Sequence, residues 1–375
     1  MDGIGTESPW GRKMRRNEPS LGEHPARWPR VVVEPRPHLD SSRIVLSRHV
    51  EIHGVSVDRT LRCHGKIVTV SVHFGGNMDI SFQMRKAARR AQRALNLITV
   101  GAGSKFPVGE SRFRANALYV NQLSLRNVHE RWMDRAYRSA LATRGGTFID
   151  VGANIGQTLL KVLAIDPDQE YVGFEPQLGC AFFVDDFIRT NELKHHRLFP
   201  IGISNRNGTL TLYRRMTDDG MASSTPGFRA DGFYNLMHQI YVAHGDEFLD
   251  ELEIPEVGLI KVDVEGGELE VIQGLSRTIT KHQPFVFFEA LNHDLVDEVE
   301  QKDESTRAFR EERVALLESE LRSCGLTIMQ IRASSGLSTV ASISLREHSA
   351  TASNDYVAVP PDLVAGFTDR YASLG

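Results

Sequence analysis

Cysteine is scarce in this 375-residue chain: Cys63, Cys180 and Cys324 lie far apart and form no C-x-x-C pair. That excludes a disulfide framework and a zinc knuckle, and it suits a reduced, cytoplasmic setting. No apolar run approaches the roughly 18 residues a membrane-crossing helix needs, and the N-terminal stretch holds no hydrophobic secretory core. The expectation is a soluble protein with no membrane partner. Excess positive charge is lacking too. The formal net charge is −4 and the isoelectric point about 6.4, which argues against a nucleic-acid partner. What is present, 41% hydrophobic and 25% charged residues, suffices for a substantial core, in one large domain with extensions or in two domains.

Residues 1–40 hold six of the 15 prolines and charges of both signs. Such a segment cannot bury enough apolar surface to offset its ordering entropy, so residues 1–42 read as disordered or loosely attached. From about 44 the pattern is strand-like, with "RTLRCHGKIVTVSVHF", a "GGN" turn and "MDISFQM". The cation-rich "MRKAARRAQRAL" (84–95) reads as a helix with a solvated face, and "NVHERWMDRAYRSALATRGG" as an amphipathic helix stopped by Gly145 and Gly146. Residues 43–145 thus read as a β-rich and helical extension.

The texture then changes to alternating units, which place the main domain at 146–362 and a C-terminal tail at 363–375. "TFIDVGA", "EYVGFEP", "HRLFPIGIS", "VGLIKVDVEG" and "PFVFFEAL" read as strands. "GQTLLKVLAI", "CAFFVDDFIRTNEL" and "GELEVIQGLSRTI" read as the helices between them. Such alternation implies right-handed βαβ crossovers and a mostly parallel sheet with helices on both faces. The helix 304–323, "LTIMQI" and a closing "DYVAVP" complete it, with 335–353 as a loop.

The turn after the first strand, "DVGANIG", carries small and polar residues where a parallel sheet meets its ligand. Gly152 and Gly156 permit tight backbone, and the helix opening near Gln157 offers free N–H groups. The turn departs from the dinucleotide pattern G-x-G-x-x-G: Asn154 replaces the middle glycine, and Asp150 stands two positions before the first. A carboxylate aimed into the turn repels a pyrophosphate and welcomes a cation, and S-adenosylmethionine is cationic and carries no phosphate. Glu175 ends the second strand, where an acidic residue accepts hydrogen bonds from ribose hydroxyls of either adenosine cofactor.

In "LIKVDVEGGELEVIQG" the residues Ile260, Val262 and Val264 alternate with Lys261, Asp263 and Glu265. Ionisable residues on a central strand are costly to bury unless paired or placed at the open rim. Lys261 is expected to pair with a carboxylate, while Asp263 and Glu265 reach the ligand end. Here "FIDVGANIGQ", "GFEP", "LIKVDVEGGELEVIQGL" and "FVFFEAL", in order, resemble the FkbM family of S-adenosylmethionine-dependent methyltransferases. The resemblance runs from Gly146 to Ala290, with "DYVAVP" as the family's closing strand. It implies the class I methyltransferase fold, a Rossmann-like α/β architecture with a seven-stranded sheet whose last strand is antiparallel. It also implies methyl transfer to a hydroxyl of a sugar, polyketide or other small metabolite.

The cofactor set then comprises Asp150, Gly152, Ala153, Asn154, Gly156, Gln157, Glu175, Pro176, Ser204 and Asp263. Glu265, Glu289 and Asp263 are the catalytic candidates, with His244 a weaker one. No grouping of His, Asp and Glu has metal-ligand spacing, and no metal is expected; His195 and His196 are adjacent and their side chains diverge. The insertion 213–248 reads as a mobile lid over the substrate side, with room for short strands. Two rivals remain: a nucleic-acid or protein methyltransferase docking through 84–95, and a cofactor-binding scaffold without catalysis.

Overall fold

The computed structural model describes residues 131–215, 220–229, 232–291, 303–332, 336–345 and 354–374, together with a hairpin at 104–115 and five short strands before it. The chain divides into two compact units, residues 1–92 and 93–375. In the first, Leu46–Ser47 (β1), Val55–Val57 (β2), Leu61–Cys63 (β3), Lys66–Thr69 (β4) and Val72–Phe74 (β5) form two small sheets, β1–β4–β3 and β2–β5. The readings of residues 1–42, of "MDISFQM" and of the cationic helix 84–95 lie outside the described residues.

The second unit opens with Ser104–Val108 (β6) and Ser111–Ala115 (β7), an antiparallel hairpin. Arg131–Thr143 (α1), Thr147–Val151 (β8), Gln157–Ile165 (α2), Tyr171–Phe174 (β9), Leu178–Thr190 (α3) and His196–Phe199 (β10) follow as alternating units. Next come Gly202–Ser204 (β11), Gly208–Arg214 (β12), Leu236–His244 (β13), Gly245–Glu251 (α4), Val257–Val262 (β14), Glu268–Gly274 (α5), Ser276–His282 (α6) and Phe285–Glu289 (β15). Glu304–Ser323 (α7), Thr327–Arg332 (β16), Gly336–Thr339 (β17), Asp355–Val359 (β18) and Val364–Ser373 (α8) complete the chain. Among the described residues no helix is long and apolar enough to cross a membrane.

Eight strands form one sheet in the order β10–β9–β8–β14–β15–β18–β16–β17. Pairing is parallel from β10 to β15, and β18 runs antiparallel to both of its neighbours. This is the class I methyltransferase arrangement, with β17 as an eighth strand added at one edge. The period of two divides each central strand between two cores. Phe148, Tyr171, Leu259, Phe285 and Phe287 face α1, α2, α3 and α8. Ile149, Val172, Ile260, Val286 and Phe288 face α4 to α7. The chain order reverses between β8 and β14, so their carboxyl ends flank the crevice where such sheets bind ligands.

Four local readings are corrected. The loop expected at 335–353 opens with β17, whose Gly336–Thr339 pairs antiparallel with β16 and adds the eighth strand. "HRLFPIGIS" is two strands in different sheets: Pro200 has no N–H to donate, and the main-sheet ladder stops before it. "GELEVIQGLSRTI" is two helices, α5 and α6. At the break, a side chain on Gly274 would collide with the Ser204 carbonyl. The insertion 213–248 is built around a nine-residue strand, β13, which pairs antiparallel with β12 and parallel with β11. Ile240 and Val242 point inward while Gln239 and Tyr241 are exposed, so its period of two anchors it as a sheet.

Candidate active site

Asp150 near the end of β8 is fully buried on the sheet face that carries Phe148. Tyr171 Oη donates to its Oδ2 at 2.6 Å, and Lys261 Nζ lies 3.4 Å from Oδ1. Lys261 stands opposite Asp150 in the β8–β14 pairing. It also reaches Asp263 at 3.2 Å and donates to the Gly152 carbonyl at 3.2 Å. Burial pushes the Asp150 carboxyl up, and Lys261 and the Tyr171 hydroxyl pull it back. Burial pulls Lys261 down, but Asp150 and Asp263 more than reverse this and hold its ammonium above the usual range. The cation that meets Asp150 is therefore the protein's own lysine, not a ligand in the turn.

The turn itself approaches β14 closely. Gly152 has φ 87°, and a Cβ there would overlap the Asp263 carbonyl oxygen. Asn154 adopts φ 48°, a left-handed conformation Asn tolerates better than most residues. Its N–H donates to Glu175 Oε2 at 2.8 Å, and the Gln177 N–H donates to Oε1 at 2.8 Å. Each carboxylate oxygen thus takes one backbone donor and keeps acceptor capacity for a ligand. Glu175 is 3% exposed, and burial pushes its carboxyl up to about 7 against the pull of those two N–H groups.

β14 ends at Val262, and Asp263 to Gly267 form a turn with Glu265 at φ 54° and Gly266 at φ 103°. Glu265 is thus aimed by a turn, not by the strand pleat. Glu268, the first residue of α5, accepts from Val264 N at 3.2 Å and Gly266 N at 3.0 Å, so it ties the turn from beneath. The carboxylates of Asp263, Glu265 and Glu289 approach within 4.8 Å of one another. Spacing along the chain could not show this grouping, because the parallel pairing of β14 with β15 assembles it. Its charge is met by Lys261 on Asp263, by Arg229 on Glu265 at 3.0 Å, and by the Asn354 amide on Glu289 at 2.7 Å. Burial and then Asp263 push the Glu265 carboxyl up to about 7, against the pull of Arg229. Burial, then Asp263, Glu265 and Asp355, push Glu289 well above its ordinary value.

One cavity of about 470 Å³ joins these groups, within the range of small-ligand sites. Gly152, Asn154, Glu175, Pro176, Ser204, Asp263 and Glu265 line it. Asp150, Ala153, Gly156, Gln157, Glu289 and His244 do not. His244 ends β13, where its N–H donates to Asn207 Oδ1 at 2.8 Å. His195 is exposed and His196 buried, its ring 6.1 Å from that of Tyr171. The sequence reading missed Gln177, Asn205, Arg206 and Arg313, and the wall supplied by Leu212, Ile240 and Val242 of the hairpin. Only the hairpin had a signal, the period-two run in "HQIYVA".

A sheet of this order, with a glycine turn, a buried glutamate on its N–H groups and acidic residues after the fourth strand, agrees with the comparisons. The segment 150–325 matches the methyltransferase FkbM domain. The FkbM match begins at Asp150 and includes the turn, Glu175, the hairpin, the acidic trio and α7. A relative, the 2-O-methyltransferase NoeI of Sinorhizobium fredii, is 26% identical over 160 residues, which cover 40% of this chain and 65% of that protein. Among solved structures, a methyltransferase FkbM from Methylobacillus flagellatus KT has a TM-score of 0.32 at 14% identity, over 57% of this chain and 43% of that one. The SAH-bound Podospora anserina methyltransferase PaMTH1 has a TM-score of 0.33 at 9% identity, over 72% of this chain and 100% of that one.

Proposed function

We propose that this chain is an S-adenosylmethionine-dependent O-methyltransferase acting on a hydroxyl of a saccharide, polyketide or other small molecule. The observation that carries the reading is one cavity whose wall includes Glu175, Asp263 and Glu265 together. The residues present fit the cofactor. Glu175 retains acceptors for a ribose diol, Gly152 and Asn154 leave backbone room, and the acidic turn suits the ammonium and sulfonium charges. A pyrophosphate would instead meet the carboxylates of Glu175, Asp263, Glu265 and Glu270, against which the wall sets only Arg206 and Arg313, the latter already paired with Glu270. The FkbM match and the O-methyltransferase relative support the reaction class.

When bound, S-adenosylmethionine would supply a methyl group already activated on a sulfonium, with S-adenosylhomocysteine as the leaving group for an acceptor hydroxyl. The protein's contribution is alignment and proton management. Asp263, held by Lys261, positions the cationic amino-acid part. Glu265, poised at about 7, takes the hydroxyl proton, and Glu289 beside it shares the charge. Leu212, Ile240 and Val242 keep one wall dry. A test is to incubate the protein with a methyl-labelled donor and fractionated extracts, then identify labelled products by mass spectrometry. Label in an alkali-stable methyl ether of a small molecule supports the reading. Label confined to protein or nucleic acid replaces the acceptor class, and no label with tight cofactor binding favours a scaffold.

A further inference from the structure

Part of the insertion between β12 and β13 is clamped onto the acidic turn. Ser223 pairs with Tyr213 of β12 through both backbone groups, at 2.8 and 3.0 Å. Thr225 Oγ1 then donates to the Gly266 carbonyl at 2.9 Å, and the Phe228 ring lies where a Gly266 side chain would be. Arg310 Nε of α7 donates to the Phe228 carbonyl at 2.7 Å. Arg229 follows, its side chain 4% exposed and its Nη2 3.0 Å from Glu265 Oε2. Glu265 has a left-handed backbone that a β-carbon disfavours, so these contacts hold it in a conformation it would not adopt alone.

We propose that Arg229 is a positioning residue: it turns the Glu265 carboxylate toward Asp263 and Glu289 and favours its charged form to receive a cationic ligand. The inference rests on the methyltransferase reading for the ligand, and on geometry alone for the charge. The groups around Glu265 come from every neighbouring element. They are Asp263 after β14, Glu268 of α5, Glu289 of β15 and Tyr234 in the insertion, with Lys261 acting through Asp263 and Asp355 through Glu289. Arg313 of α7 approaches through the Gly266 carbonyl and pairs with Glu270. Of these cations only Arg229 bonds Glu265 itself. Without it, four carboxylates share the space, and protons must fill the deficit at neutral pH.

The test compares wild type, Arg229→Gln, Arg229→Lys and Glu265→Gln by unfolding between pH 5 and 9 without ligand. Glu265 is raised above its unfolded value, so its contribution is complete below about 4.5 and is lost as pH rises through about 7. Arg229→Gln should move that loss upward by about one pH unit or more, because a neighbouring opposite charge is gone. Arg229→Lys should return it toward wild type, and Glu265→Gln should remove the Glu265 share of the loss, leaving the shares of Glu175, Glu268 and Glu289. A constant offset between wild type and Arg229→Gln at every pH would reduce Arg229 to a structural contact and overturn the proposal. If Arg229→Gln does not fold, a Glu265→Gln curve that stays parallel to wild type from pH 5 to 9 overturns it instead. Calorimetry of S-adenosylmethionine in buffers of different ionisation enthalpy separates the two readings. More protons released by Arg229→Gln than by wild type supports both. No binding to wild type, with the ligand-free curves still diverging, removes the methyltransferase reading and leaves Arg229 its role.

Discussion

Glu175→Gln isolates the part of the site that meets the ribose. The exchange keeps shape but removes charge and one acceptor, so the new amide must face its NH₂ toward the N–H of either Asn154 or Gln177, both now 2.8 Å away. A buried donor left unsatisfied costs about 1–3 kcal/mol. Opposing this, the wild-type carboxyl is raised from 4.5 to about 7, so its stability contribution is complete below 4.5 and is lost as pH rises through 7. At about 1.4 kcal/mol per pH unit, that loss comes to about 3 kcal/mol. Glu175 is almost wholly buried, so solvent screening takes little from it. The variant should therefore be less stable than wild type by about 1–3 kcal/mol at pH 5, with the gap closing or reversing at pH 8. Urea unfolding at both values measures this. Calorimetric affinity for S-adenosylhomocysteine should fall by about 1–3 kcal/mol at pH 8, where wild-type Glu175 is charged. Parallel stability curves would refute the buried titration, and unchanged affinity would remove Glu175 from the ribose.

Other perturbations reach different parts of the account. Gly152→Ala forces a side chain onto the Asp263 carbonyl at a positive φ, so cofactor binding should be lost in calorimetry and the melting temperature should drop. His196 is buried, with both ring nitrogens lacking a hydrogen-bond partner and its pKa lowered to about 4. Stability linked to it is present above about 6.5 and lost as pH falls through 4, so His196→Phe should flatten the acid side of the melting profile and raise the melting temperature. Glu265→Gln should lower turnover roughly 100-fold at saturating cofactor, beyond any loss of cofactor affinity, once an acceptor is in hand. Full activity would assign the rate to alignment alone.

The doubly wound half of the fold was legible because its strands are buried on both faces and read as apolar runs ending in Gly-rich or acidic turns. Glu175 and the glycine turn were legible for the same reason: strand ends bring residues to the ligand at fixed positions. Asp150 misled because a sequence gives the strand end but not the face, and its face carries Lys261. The trio of Asp263, Glu265 and Glu289 needed the β14–β15 register. Arg229 lies 36 residues before Glu265 in an irregular segment, where no periodicity announces a partner. The hairpin β12–β13 was hidden by composition, since Gly, Ser and Asp in the connecting segment outweighed the alternation of its second strand.

The central claim is that the cavity between Glu175 and Asp263 receives a cationic adenosine ligand. Titration calorimetry of the full chain with S-adenosylmethionine, S-adenosylhomocysteine and NAD tests it most directly. The account predicts one-site binding of both sulfur compounds, lost in Asp263→Ala, and no heat from NAD. Binding of NAD with no response to S-adenosylmethionine would contradict it.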